Sequence, residues 1–173
     1  MAEVSFTIFP TALGECAVAW NDVGLVGVWL PESTVEVLRR RVLRAHPESV
    51  ESAPPEVTGG VVSRITRLLA GEDVDLGDVV LDESGLPDLQ QRIYAAARAL
   101  PRGVTRTYGE IARDVGAPGA AQVVGQAMGS NPWPIVVPCH RVVAAGGRNG
   151  GFSAPGGVDT KLRMLAIEGA TLF

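Results

Sequence analysis

The 173-residue chain holds two cysteines and two histidines, and one of each stands side by side as Cys139-His140 within NPWPIVVPCHRVVAAGGRNGGF. A thiol acts as a nucleophile through its thiolate, which forms where a base stands close by in an accessible, electropositive place. Neighbouring side chains on an extended segment point to opposite faces. The pair can therefore exchange a proton only if the backbone turns between them or a water relays it. Pro138, immediately upstream, favours a turn. On position alone the pair also reads as a buried thiol beside a surface imidazole. Cys16, in the β-rich run GECAVAW, reads as an inert core residue. With His46 as the other imidazole, no cluster has metal-ligand spacing and two thiols cannot build a disulfide framework.

Elements around Cys139 must hold it. Residues 88–100, DLQQRIYAAARAL, place Leu89, Ile93, Ala96, Ala97 and Leu100 along one helical stripe, with Asp88 as N-cap. Thr107-Tyr-Gly-Glu110 fits a capping box that opens TYGEIARDVG, with Gly116 as the helix stop and Pro118 opening a third helix, GAAQVVGQAMG. Two short helices across a tight Gly-containing turn are a helix-turn-helix, although generic packing gives the same pattern. In the other half, 4–9 and 16–30 read as strands with a turn at Asn21-Asp22. Residues 35–45 set Val35, Leu38, Val42 and Ala45 on one helical face, 46–60 read as loop, and 61–69 as a second helix. The acidic stretch 71–87 holds one edge strand and a linker, with a boundary near Pro87. The expected fold class is α+β. An N-terminal supporting domain, 1–86, carries a small sheet with helices; 87–173 form a winged-helix-like domain with a helix-turn-helix.

At this length a hydrophobic core needs neither disulfide nor structural metal. No run reaches the roughly 18 apolar residues of a membrane span, and MAEVSFTIFP lacks the basic start of a signal peptide, so the expectation is a cytoplasmic chain without a membrane partner. A net charge of -4 argues at first against a polyanion partner. The average conceals a split: residues 1–86 carry 6 basic against 14 acidic groups, residues 87–173 carry 9 against 5. A nucleic-acid surface belongs to the second half. The arginines at 39–41 sit on a helix face among acids.

PCHRV preceded by Asn-Pro, a Tyr opening one helix, and a closing Lys161-x6-Glu168-Gly169 together resemble the O6-alkylguanine-DNA alkyltransferases, the methylated-DNA–protein-cysteine methyltransferases. The resemblance implies a suicide reaction without a cofactor, in which Cys139 keeps an alkyl group taken from O6-alkylguanine, and from O4-alkylthymine, in double-stranded DNA. It implies that His140, backed by Glu168, removes the thiol proton through a water, and that Asn131 is a hinge; an ordinary Asn-Pro turn explains Asn131 equally. Glu168 alone could pair with Arg163 or face solvent. Tyr108 would contact the flipped nucleotide and help protonate the leaving base, or serve as core. Lys161, the sole lysine among 15 basic residues, would favour thiolate and departing base. Phe152 and Ser153 would line the pocket, Phe152 as an apolar wall. Trp133 packs beside the active-site loop or joins the pocket.

The family inserts an arginine from its recognition helix into the gap left by the flipped base, and the matching position here is Gln122. Gln can hydrogen-bond an orphaned base but brings no fixed charge, so flipping of a paired lesion should be less well supported. Arg113 or another nearby basic group could compensate. The segment 116–129 lacks basic residues, which leaves phosphate contacts to backbone amides and to Arg102, Arg106 and Arg148. A monomer acting on DNA is expected. A lesion-binding sensor of the alkyltransferase-like kind is the alternative, but such proteins typically replace the cysteine. A sequence-reading winged-helix regulator would need more base-reading side chains than PGAAQVVGQAM offers.

Overall fold

Alternating apolar residues in Ser5–Thr11 (β1) and a fully apolar Cys16–Trp20 stretch inside Gly14–Trp20 (β2) pair as an antiparallel hairpin, and Leu25–Trp29 (β3) continues the sheet. The computed structural model describes residues 3–145 and 157–170, divided into compact units at Glu83/Ser84, inside the acidic linker that the sequence ends at Pro87. In the first unit the strand order is β3-β2-β1-β4, where β4 is Val50–Glu51, parallel to β1. Ala17 and Ala19 face Phe6, Leu38 and Val42 in one buried cluster. Cys16, Val18 and Trp20 lie on the opposite face by the period of two and are buried as well.

Helix α1, Val35–Ala45, has the expected bounds, and Thr34 caps it by accepting from the Val37 amide at 3.1 Å. Only Leu38 and Val42 of its predicted stripe are buried; Val35 and Ala45, at the two ends, are exposed. Helix α2 runs Glu56–Leu69, a turn and more ahead of the predicted start. Pro55 presets the entry and Glu56 supplies first-turn acid, and burial of Thr58, Val61, Ile65, Leu68 and Leu69 offsets the roughly 1 kcal/mol that each of Gly59 and Gly60 costs relative to alanine. The edge strand expected in the acidic stretch reduces to a single bridge, Leu25 to Leu81. Gly24 is required beside it, since a Cβ there would stand 2.5 Å from the Val80 carbonyl oxygen.

The second unit carries α3 (Asp88–Arg98), β5 (Arg106–Thr107), α4 (Tyr108–Asp114), α5 (Ala121–Gly129), β6 (Val142–Val143) and α6 (Gly157–Ile167). Pro87, not Asp88, is the N-cap of α3; Asp88 is already helical and pairs with Arg92 at 3.0 Å. The α4 capping box is present: Thr107 Oγ1 accepts from the Glu110 amide at 3.1 Å and Glu110 Oε1 from the Thr107 amide at 3.0 Å. Gly116, at φ 75°, ends α4 in a Schellman motif closed by Ala117 N–H to the Ala112 carbonyl. Pro118 lies in the turn ahead of α5 rather than inside it. Ile111 and Ala112 of α4 and Val124, Ala127 and Met128 of α5 are buried in this helix-turn-helix.

Candidate active site

Cys139 is reached through a proline-bounded loop whose turns are all hydrogen-bonded. Asn131 clasps it: Oδ1 accepts from Trp133 N–H at 2.9 Å and Nδ2 donates to the Val137 carbonyl at 2.9 Å. Val137 N–H returns to the Trp133 carbonyl at 2.8 Å. Pro138, at φ -77° and ψ 68°, forms an inverse γ-turn in which Cys139 N–H donates to the same Val137 carbonyl at 2.7 Å. Cys139–Arg141 then make one 3-10 turn, so three successive side chains fan around its axis instead of alternating. This is the backbone turn that the Cys-His pair requires. Val142–Val143 leave it parallel to Arg106–Thr107, which holds the first residue of α4, Tyr108, beside the cysteine turn.

Glu168 arrives from α6. Its helix ends in a Schellman motif, with Gly169 at φ 76° and Ala170 N–H donating to the Leu165 carbonyl, which orients the carboxylate inward. His140 Nε2 lies 2.8 Å from Glu168 Oε1, and both residues are buried, at 0% and 6% exposure. Arg141 grips the same carboxylate, Nε to Oε2 at 2.9 Å and a terminal nitrogen to Oε1 at 2.7 Å, and donates to the Leu100 carbonyl at 2.7 Å. Burial alone would raise the Glu168 pKa, but the hydrogen bonds from His140 and Arg141 outweigh it and hold the value near about 2. An ionised Glu168 makes His140 Nε2 the donor. Nδ1 is then the lone-pair nitrogen, buried without a hydrogen-bond partner among the described residues. Burial lowers the His140 pKa against the pull of Glu168, which keeps the imidazole neutral.

Burial pushes the Cys139 thiol up, while a hydrogen bond from Asn131 and the charge of Lys161 pull it down. Lys161, 1% exposed, donates from Nζ to the Val142 carbonyl at 2.9 Å, and burial brings its pKa down to about 8 although Cys139 pulls upward. Burial and the neighbouring Cys139 raise the Tyr108 pKa, so its hydroxyl keeps its proton. The Tyr108 ring lies over α5, 3.5 Å from where a Gly125 Cβ would stand. Trp133 is buried with its ring edge-on to Tyr94 at 6.0 Å. Cys139, His140, Glu168, Asn131, Lys161 and Tyr108 thus converge.

Gln122, Arg102 and Arg106 do not join them. Gln122 is exposed on α5. Arg102 donates to the Ile167 carbonyl at 2.8 Å, and Arg106 closes on Asp114 at 2.8 Å and Glu110 at 2.9 Å, so both guanidinium groups are engaged within the protein. Arg148, Phe152 and Ser153 lie outside the described residues. Two members escaped the sequence. Arg141, two places after the thiol in PCHRV, has no local signal of the partners it binds. Tyr94 is buried beside the Ile93–Ala97 stripe; it donates to the Ala127 carbonyl at 2.8 Å and accepts from Gln90 at 2.9 Å.

Residues 88–170 match the model of the 6-O-methylguanine DNA methyltransferase, DNA binding domain. The methylated-DNA–protein-cysteine methyltransferase of Mycobacterium tuberculosis H37Rv is 46% identical over 114 residues, 66% of this chain and 67% of that protein. The protein of the same name from Methanothermobacter thermautotrophicus is 34% identical over 158 residues, 91% and 81% of the two chains. The fold superposes on the crystal structure of M. tuberculosis OGT in complex with DNA with a TM-score of 0.76, at 36% identity, over 95% of this chain and 92% of that one. Sequence and fold agree over nearly the whole length, and the chain belongs to the O6-alkylguanine-DNA alkyltransferase family of methylated-DNA–protein-cysteine methyltransferases.

Proposed function

We propose that this protein repairs alkylated duplex DNA by moving an alkyl group from O6-alkylguanine, and from O4-alkylthymine, irreversibly onto Cys139. The observation that carries the reading is the buried His140–Glu168 hydrogen bond of 2.8 Å, which leaves the His140 Nδ1 lone pair as the base. Through a water, Nδ1 takes the Cys139 proton. The thiolate attacks the alkyl carbon, an S–C bond forms, the C–O6 bond breaks, and its electron pair passes to the base oxygen. Tyr108, which keeps its proton, donates it to the departing base and regains one from solvent, while the charge of Lys161 favours the thiolate and the departing base. The lesion must leave the helix to reach a buried thiol, and the exposure of Gln122 on α5 supports reading this helix as the flipping surface. Every residue given a role in this reaction belongs to the second unit.

Intact-protein mass after incubation with a methylated-guanine duplex tests this. A gain of one methylene on Cys139, absent in C139S, is expected; unchanged mass with tight lesion binding would make the protein a lesion sensor instead.

A further inference from the structure

The loop that presents Cys139 contains the one described residue other than glycine with a positive φ, Ile135 at 79°. L-residues avoid this region, β-branched ones most of all. A turn needing it takes glycine by default. Ile135 is 2% exposed, directly after Pro134, and the bonds around it meet at one residue, Val137. Val137 N–H reaches back over it to the Trp133 carbonyl, and the Val137 carbonyl accepts from both Asn131 Nδ2 and Cys139 N–H. Whatever holds the backbone at Ile135 therefore also sets Val137, whose carbonyl accepts from the Cys139 amide.

We infer that Ile135 is a positioning residue for alkyl transfer: its buried side chain holds a left-handed turn, and that turn sets the Val137 carbonyl and the Cys139 backbone for attack. The inference rests on the alkyl-transfer reading above. A β-branched side chain opposes the turn through its own backbone preference and secures it through burial. Removing the side chain while keeping a Cβ leaves the opposition without the anchor. Removing the Cβ as well takes away both.

The test uses the full chain in a C16S background, so that a thiol probe reports Cys139 alone, with I135V, I135A and I135G. Single-turnover transfer from a methylated-guanine duplex is measured beside the rate of exchange with an aromatic disulfide, in which the Cys139 thiolate attacks sulfur and releases the aromatic thiolate. Rates are compared at equal folded fraction by circular dichroism. I135V should stay within about twofold of the parent, I135G should slow transfer roughly tenfold, and I135A roughly a hundredfold. Disulfide exchange should run in the opposite order, fastest in I135A, because the opened loop uncovers the thiol. Loss of packing alone gives the reverse ranking, since glycine removes more side chain and loosens the unfolded chain. Transfer by I135A equal to or faster than I135G overturns the inference, as does disulfide exchange unchanged across the series. Failure of both variants to fold also overturns it, because the side chain is then a core element of the whole unit. If the parent transfers no alkyl group, the alkyl-transfer reading fails, and with it any role in transfer, while the order of disulfide exchange still decides whether Ile135 holds the loop.

Discussion

Glu168 Oε1 sits 2.8 Å from His140 Nε2, across 28 positions of sequence, with both side chains buried. Coulomb attraction is strong there, yet desolvation opposes it, so the pair is a better guide to protonation state than to stability. Arg141 supplies the balancing charge: one carboxylate, one guanidinium and a neutral imidazole form a group with no net charge.

E168Q tests that balance. Gln keeps the shape but leaves Arg141 buried without a counter-charge and loosens the imidazole, so alkyl transfer should fall by about 10²- to 10⁴-fold, and the urea midpoint should fall as well. The Glu168 pKa of about 2 in the folded protein lies below the ordinary carboxylate value of 4.5. The Glu168 contribution is therefore complete above 4.5 and is lost as pH falls toward 2. Urea titrations between those limits should show the wild type losing stability along an acid limb that E168Q lacks.

R141M should leave Glu168 paired with His140 alone. Arg141 is among the charges that lower the His140 pKa, so its removal raises that value and keeps the imidazole protonated to higher pH. The pH profile of single-turnover transfer should move its acid limb upward, with the plateau less affected. R141K should recover little, because an ammonium cannot span both carboxylate oxygens. An unmoved acid limb in R141M would show that Arg141 does not set the state of His140.

Much of this site was legible in the sequence, and its gaps have physical causes. Thr107-x-x-Glu110 and Gly116 are local signals, each fixed by hydrogen bonds within about five residues, and each forms the expected cap. The inverse γ-turn at Pro138 follows from proline's restricted φ. Arg141 could not be read, because its partners, Glu168 and Leu100, lie 27 and 41 positions away. The start of α2 was missed for the opposite reason. Gly59 and Gly60 signal loop locally, and burial of Thr58 and Val61 overrides them. The left-handed backbone at Ile135 has no local signal, since its residue type argues against that conformation.

K161M separates charge from packing at the site's buried ammonium. Burial lowers the Lys161 pKa from 10.5 to about 8, so folding disfavours the charged form. That penalty is complete below pH 8 and fades as pH rises from 8 to 10.5, the direction set by a folded value below the unfolded one. The stability of K161M relative to wild type should therefore be greatest below pH 8 and decline across that interval. Transfer should slow at the same time, because the positive charge favouring the Cys139 thiolate is gone. Parallel urea midpoints across pH would contradict the charge argument.

Q122R addresses how the lesion leaves the helix. Gln122 is exposed on α5, whose first turn carries no acid and whose last carries no base, so an arginine there meets no intrahelical partner of either sign. A guanidinium extends farther than a carboxamide and brings a charge suited to the phosphate-lined gap left by a flipped base. Flipping a paired base costs a few kcal/mol, and a free alkylated base has no such cost. Q122R should therefore accelerate repair of a paired O6-methylguanine while leaving reaction with the free base nearly unchanged, and it should steepen the salt dependence of duplex binding by up to one phosphate contact. Single-turnover rates on the two substrates check this. Equal acceleration of both would place the effect in the Cys139 pocket, and no acceleration of either would show that α5 supports flipping without a charge at this position.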